Sequence, residues 1–157
     1  MAELSEGMKA PGFTATDQNG VTVKLSDHKG KKVVLYFYPE DDTPTCTDEA
    51  CNLRDNFGLL KKEGIVVLGV SPDNEKKHKK FEQKYQLPFT LLADTNKKII
   101  DEYGVWGEKV LFGRKYMGLI RTTFLIDERG IIKKIFRKPK SKMHSEEILE
   151  AWKVIGK

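Results

Sequence analysis

The chain has 157 residues, 39% hydrophobic and 32% charged, with a formal net charge of +5 and a pI near 9.1. That length supports about one domain, read as residues 1–157, which buries roughly two-thirds of its unfolded surface. The composition excludes a disordered chain, and no apolar run approaches the ~20 residues of a membrane helix. The opening MAELSEGMKAPGF lacks the charged-then-apolar pattern of an export signal, so a cytoplasmic protein is expected. In that compartment a structural disulfide is unusual, and paired thiols more often serve redox chemistry or bind a metal. The positive charge is spread along the chain among 23 Asp and Glu. Without a basic block carrying interleaved aromatics, no nucleic-acid partner is expected.

In chain order, FTATDQNGVTVKLSD holds two short alternating runs around Asp17-Gln18-Asn19-Gly20 and predicts an N-terminal β-hairpin. KKVVLYFYP is a continuous apolar run, read as a buried strand ending at Pro39. A helical stretch from about Thr43 to Lys62 follows, then a second buried strand, GIVVLGVS. Ser71-Pro72-Asp73 opens a helix to about Tyr85, whose EKKHKKFEQKY reads as a solvated face with Phe81 and Tyr85 as its apolar stripe. LPFTLLAD reads as a strand and NKKIIDEYG as a short helix closed by Gly104. VWGEKVLFGRKYMG, with its run of glycines, has no clear assignment. RTTFLIDERGIIKKIFR predicts a hairpin across Asp127–Gly130, and SEEILEAWKVIGK an amphipathic helix with Ile148, Trp152 and Ile155 on one face. Strands alternating with helices imply an α/β protein whose mostly parallel sheet carries helices on both faces and ends in an antiparallel hairpin.

The only two cysteines, Cys46 and Cys51, lie within PEDDTPTCTDEAC. Sites in such sheets form where a strand ends and the next helix begins. Thr43 fits an N-cap and Pro44 the first helical position, placing Cys46 in the first turn. There, unpaired backbone N–H groups and the positive end of the helix dipole favour an anion, and helix N-termini commonly enrich a thiol in its thiolate. Asp41, Asp42, Asp48 and Glu49 oppose this, so a cation from elsewhere is needed. Along an intact helix, five residues rise about 7.5 Å. A disulfide needs Cα atoms within about 7 Å. A Cys46–Cys51 bond therefore requires the helix to unwind.

On the residues alone, a structural pair or two inert thiols remain open as alternatives. A zinc site fits less well, because C-x₄-C offers two ligands while His28, His78 and His144 are scattered and read as surface residues. A C-x-x-C of the general disulfide-reductase type is absent. The segment suggests a redox thiol with a second thiol in reach.

YFYPEDDTPTCTDEACNLRD also resembles the active-site segment of the peroxiredoxins, in particular the peroxiredoxin Q or bacterioferritin-comigratory-protein subfamily. The pattern P-x-x-x-[TS]-x-x-C is met by Pro39, Thr43 and Cys46, and Cys51 stands where this subfamily often places a second cysteine. GMKAPGFTATDQNG, LPFTLLAD and VWGEKVLFGRKYMGLIRTTFLIDERG extend the likeness over nearly the whole chain.

The resemblance implies a thioredoxin-like fold with a central mixed sheet. It implies thiol-dependent reduction of hydrogen peroxide and organic hydroperoxides, with Cys46 as peroxidatic cysteine and Cys51 as resolving cysteine. By the same likeness, Thr43 is expected to hydrogen-bond the thiolate and peroxide, and Pro39 to shape the pocket. Arg121 is expected to be the required cation, although without the likeness it reads as a solvated residue at a strand start. Glu49 is either an orienting partner for an arginine or a helix-surface charge; Arg54 and Trp106 have no assigned role. The expected partners are a hydroperoxide and thioredoxin or a similar dithiol, with no metal, no organic cofactor, no membrane, and a monomer. One departure is Thr45 where the subfamily usually has Gly. The rival readings are a protein disulfide oxidoreductase and a redox sensor.

Overall fold

Period-two alternation divides the apolar strand residues between the two faces of one sheet. The computed structural model describes residues 3–156. The elements run β1 (Thr14–Asp17), β2 (Thr22–Lys24), a 3₁₀ turn (Leu25–His28), β3 (Lys32–Phe37), α1 (Pro44–Asp55), α2 (Phe57–Lys62), β4 (Ile65–Ser71), α3 (Glu75–Tyr85) and β5 (Thr90–Ala93). They continue through α4 (Lys98–Glu102), β6 (Trp106–Leu111), β7 (Arg114–Leu119), β8 (Thr122–Ile126), β9 (Ile132–Phe136) and α5 (His144–Ile155). The seven-stranded sheet has the order β2-β1-β5-β4-β3-β8-β9, and β6 pairs with β7 in a separate ribbon.

Of the sheet's neighbours, only β3–β4 and β4–β5 are parallel; the other pairings are antiparallel. The sheet is therefore mixed, and the mostly parallel arrangement expected from strand–helix alternation holds only at its centre. On β3, Val33, Leu35 and Phe37 join Leu68, Val70, Phe124 and the α4 residues Ile99 and Ile100 on one face. Val34, Tyr36 and the following Tyr38 join Cys46, Leu53, Leu60, Phe81 and Trp152, from α1, α2, α3 and α5, on the other. No helix among the described residues is long and apolar enough to cross a membrane.

Two local predictions need correction. The single helix expected to Lys62 is broken at Asn56 (φ −112°, ψ 12°), whose side-chain amide donates to the Asn52 carbonyl at 2.9 Å. The histidines are not surface residues: His78 and His144 are fully buried and His28 is half-buried. The unassigned stretch from Trp106 is a hairpin with a two-residue turn, Phe112 and Gly113, at φ 51° and 78°. Positive φ at both central residues gives the twist that joins antiparallel strands tightly.

Candidate active site

Strand β3 delivers the chain to the site, and Pro39, which has no N–H to continue the ladder, marks its end. Thr43 adopts extended dihedrals at the N-cap and Pro44 opens α1, as the sequence predicts. The Thr43 carbonyl accepts the Thr47 N–H at 2.8 Å. Its hydroxyl does not cap the helix; it donates to the Glu40 carbonyl at 2.9 Å. Thr45 is exposed in the first turn, and Cys46, third in the helix, is buried with 2% exposure.

Arg121 reaches this thiol because of the topology. Strand β8 runs antiparallel to β3 with Thr122 opposite Phe37, so the residue preceding β8 lies beside the carboxyl end of β3. Arg121 Nη1 donates to Cys46 Sγ at 3.4 Å. The long stretch before β8 thus brings a guanidinium to the Cys46 sulfur.

Glu49, one turn after Cys46, sits 2.8 Å from Arg121 Nη2 as a contact ion pair, angled off the line of a hydrogen bond. Burial pushes its carboxyl up to about 7, against the opposing pull of the Arg121 guanidinium. His144 Nε2 faces the Thr123 hydroxyl at 2.8 Å and Nδ1 faces Glu147 at 3.1 Å. Nδ1–H donates to the carboxylate and the Thr123 hydroxyl donates to Nε2, which suits a neutral ring. Burial lowers the His144 proton affinity in the same sense, against the pull of Glu147. Glu49 Oε2 lies 3.8 Å from that ring. Glu49 thus faces one guanidinium and a neutral imidazole.

Both cysteines are free thiols, Cys46 buried and Cys51 half-buried. Burial raises the Cys51 thiol, with Arg54 nearby opposing the shift. With α1 continuous from Pro44 to Asp55, the two cysteines are held apart as the helical rise requires. Arg54 is committed elsewhere, donating to the Tyr85 carbonyl at 2.8 Å. Trp106 carries the Lys97 ammonium over its ring at 4.2 Å.

Asp41, Asp73 and His78 bring one donor atom each within 4.8 Å of one another, a spacing a metal ion can use. Both His78 ring nitrogens already face oxygen partners, and Asp41 accepts from Tyr38, so this group closes on itself through protons. Sequence reasoning missed it. The available signal was the spacing of His78, Phe81 and Tyr85, three and four apart on one helical face.

Residues 7–135 match the model of the AhpC/TSA family. Peroxiredoxin Bcp of Bacillus subtilis is 49% identical over 147 residues, covering 94% of this chain and 94% of that protein. Among solved structures, the bacterioferritin comigratory protein of Xanthomonas campestris is 32% identical with a TM-score of 0.86, covering 92% of each chain. A cysteine-to-serine mutant of PrxQ from Xylella fastidiosa superposes over 100% of both chains with a TM-score of 0.92 at 27% identity. The chain belongs to the AhpC/TSA family and, within it, to the peroxiredoxins of the Bcp and peroxiredoxin Q group. Its fold is thioredoxin-like and its class of activity is that of a thiol peroxidase, an oxidoreductase.

Proposed function

We propose that Cys46 is the peroxidatic cysteine and Cys51 its resolving partner in the reduction of hydrogen peroxide and organic hydroperoxides. The observation that carries this reading is the Cys46 thiol, buried in the first turn of α1, with the Arg121 guanidinium 3.4 Å from its sulfur. A guanidinium there stabilises the thiolate and then the negative charge that grows on the departing oxygen. The alkyl-peroxide reduction named for the Xanthomonas campestris relative fits the same chemistry.

In this reading the Cys46 thiolate attacks the nearer peroxide oxygen, the O–O bond breaks, and the leaving alkoxide or hydroxide takes a proton to depart as alcohol or water. Cys46 becomes a sulfenic acid. Pro39 bounds the pocket, and the Thr43 hydroxyl, which spends its proton on Glu40 in the resting state, turns to the peroxide. After α1 unwinds, Cys51 sulfur attacks the Cys46 sulfur, forming the disulfide and releasing water. Thioredoxin or a similar dithiol then reduces the bond by exchange, itself becoming oxidised. We place this cycle in the cytoplasm and in a monomer.

Peptide mass mapping after one equivalent of hydrogen peroxide tests the assignment. The wild type should yield a Cys46–Cys51 disulfide, and Cys51→Ser one added oxygen on Cys46. A disulfide linking Cys46 to another molecule in the wild type, with Cys51 still a thiol, would remove the resolving role.

A further inference from the structure

Between Pro39 and Thr43 lie three successive acids, Glu40, Asp41 and Asp42, and all three are bound by one helix. Glu40 accepts from Lys77 Nζ at 2.6 Å, and the Asp42 carboxylate takes Lys84 Nζ at 2.7 Å and the Tyr85 hydroxyl at 2.8 Å. Lys77 and Lys84 lie two turns apart on the same side of α3. Asp42 itself sits at φ 61°, in the left-handed region that aspartate enters more readily than most side chains.

The central contact is of another kind, because it is dry. The His78 and Asp41 side chains are 0% and 1% exposed, and Nδ1 lies 2.6 Å from Oδ2. His78 Nε2 is 2.9 Å from the Leu92 carbonyl, a group that only accepts, so the ring donates there. The remaining nitrogen and the Asp41 oxygen therefore share one proton. Asp41 Oδ1 accepts the Tyr38 hydroxyl at 2.6 Å, and the Asp41 backbone N–H donates to Asp73 at 2.7 Å. Asp73 is fixed in turn by the Ser71 hydroxyl at 3.0 Å. One loop residue is thereby tied to the ends of β3 and β4, to β5 and to α3.

A buried ion pair of this sort contributes little net stability compared with an apolar pair of similar size. An apolar pair, however, would not fix the loop's direction or satisfy its charge. We propose that His78 and Asp41 are positioning residues for peroxide reduction: their buried contact fixes the loop that carries Pro39 and Thr43 to Cys46. This rests on the reading of Cys46 as the peroxidatic cysteine.

The test compares two reactions of Cys46 in the full-length reduced protein, oxidation by hydrogen peroxide and alkylation by iodoacetamide. Alkylation requires only an accessible thiolate, whereas peroxide reduction also requires the aligned pocket. His78→Gln and Asp41→Asn should lower the peroxide rate constant about tenfold or more, with alkylation held within about twofold. A purely structural role would lower thermal stability and leave the ratio of the two rates unchanged, and that result overturns the proposal. Tyr38→Phe removes one bond to Asp41 at almost constant volume, and decides the matter if the other variants do not fold. It should lower the same ratio about threefold, and an unchanged ratio overturns the proposal. A wild type that peroxide oxidises no faster than free cysteine removes the peroxidase reading and the proposal together. A fast wild type with unchanged variants removes the proposal alone.

Discussion

Cys46 Sγ and Arg121 Nη1 lie 3.4 Å apart although 75 positions separate them in sequence. The antiparallel pairing of β8 with β3 produces this meeting, since it brings the start of one strand to the end of the other. Arg121→Ala should lower the rate of Cys46 oxidation by peroxide about 10²–10³-fold, the cost of removing one preorganised donor from a charge-developing site. Arg121→Lys should recover part of that loss, because it restores the charge without the planar fork. Stopped-flow oxidation of the three proteins measures both effects.

Glu49 makes stability depend on pH. Burial raises its carboxyl from 4.5 to about 7. The folded state thus binds this proton more tightly than the unfolded state does. Its contribution is fully present below about pH 4.5 and is lost as pH rises through about 7. The change is on the order of 3 kcal/mol. Glu49→Gln, with nothing to ionise, should flatten that part of the profile. Urea unfolding of both proteins between about pH 4.5 and 8 measures it, and equal slopes would remove Glu49 as the cause.

Asn52, adjacent to Cys51, caps a helix other than its own. Its side-chain oxygen accepts from the Ser145 N–H at 2.7 Å and the Ser145 hydroxyl at 2.8 Å, and its nitrogen donates to the Lys142 carbonyl at 2.9 Å. The α5 N-cap position is Met143, which makes no side-chain cap bond. Asn52→Ala should destabilise the protein by about 1–3 kcal/mol, because the backbone N–H of buried Ser145 loses its acceptor. Asn52→Asp, which keeps the acceptor, should lose less. Denaturant midpoints distinguish the two.

Gly69 on β4 lies against the Tyr36 ring, and a Cβ there would come within 2.9 Å of Tyr36 Cζ. Tyr36 is itself fully buried and cannot swing out. Gly69→Ala should therefore cost about 1–3 kcal/mol by overpacking. Thermal unfolding of Gly69→Ala, alone and with Tyr36→Leu, should show the penalty shrinking when the ring is removed.

Much of this arrangement is legible in the sequence for physical reasons. The unbroken apolar run from Val33 to Tyr38 can only be a buried strand or a short buried helix, and the Thr43-Pro44 cap settles where the next helix begins. The thioredoxin-like sheet and the placing of Cys46 follow from that junction and from the family likeness. What stays hidden depends on tertiary contact. His78 stands in a run of lysines, and only its spacing to Phe81 and Tyr85 betrays a buried face. The β6–β7 turn uses Phe-Gly where Asn-Gly would announce a hairpin, so the signal is masked. Glu49 reads equally as a surface charge until Arg121 is placed beside it, and no local pattern shows that β8 will insert next to β3.

The most direct measurement is the second-order rate of oxidation by hydrogen peroxide, followed by stopped flow in the wild type, Cys46→Ser and Cys51→Ser. A rate far above that of free cysteine, abolished in Cys46→Ser and kept for the first turnover in Cys51→Ser, is the predicted result. A wild-type thiol that reacts no faster than free cysteine would contradict the account, and would leave disulfide exchange or redox sensing as the use of the same site.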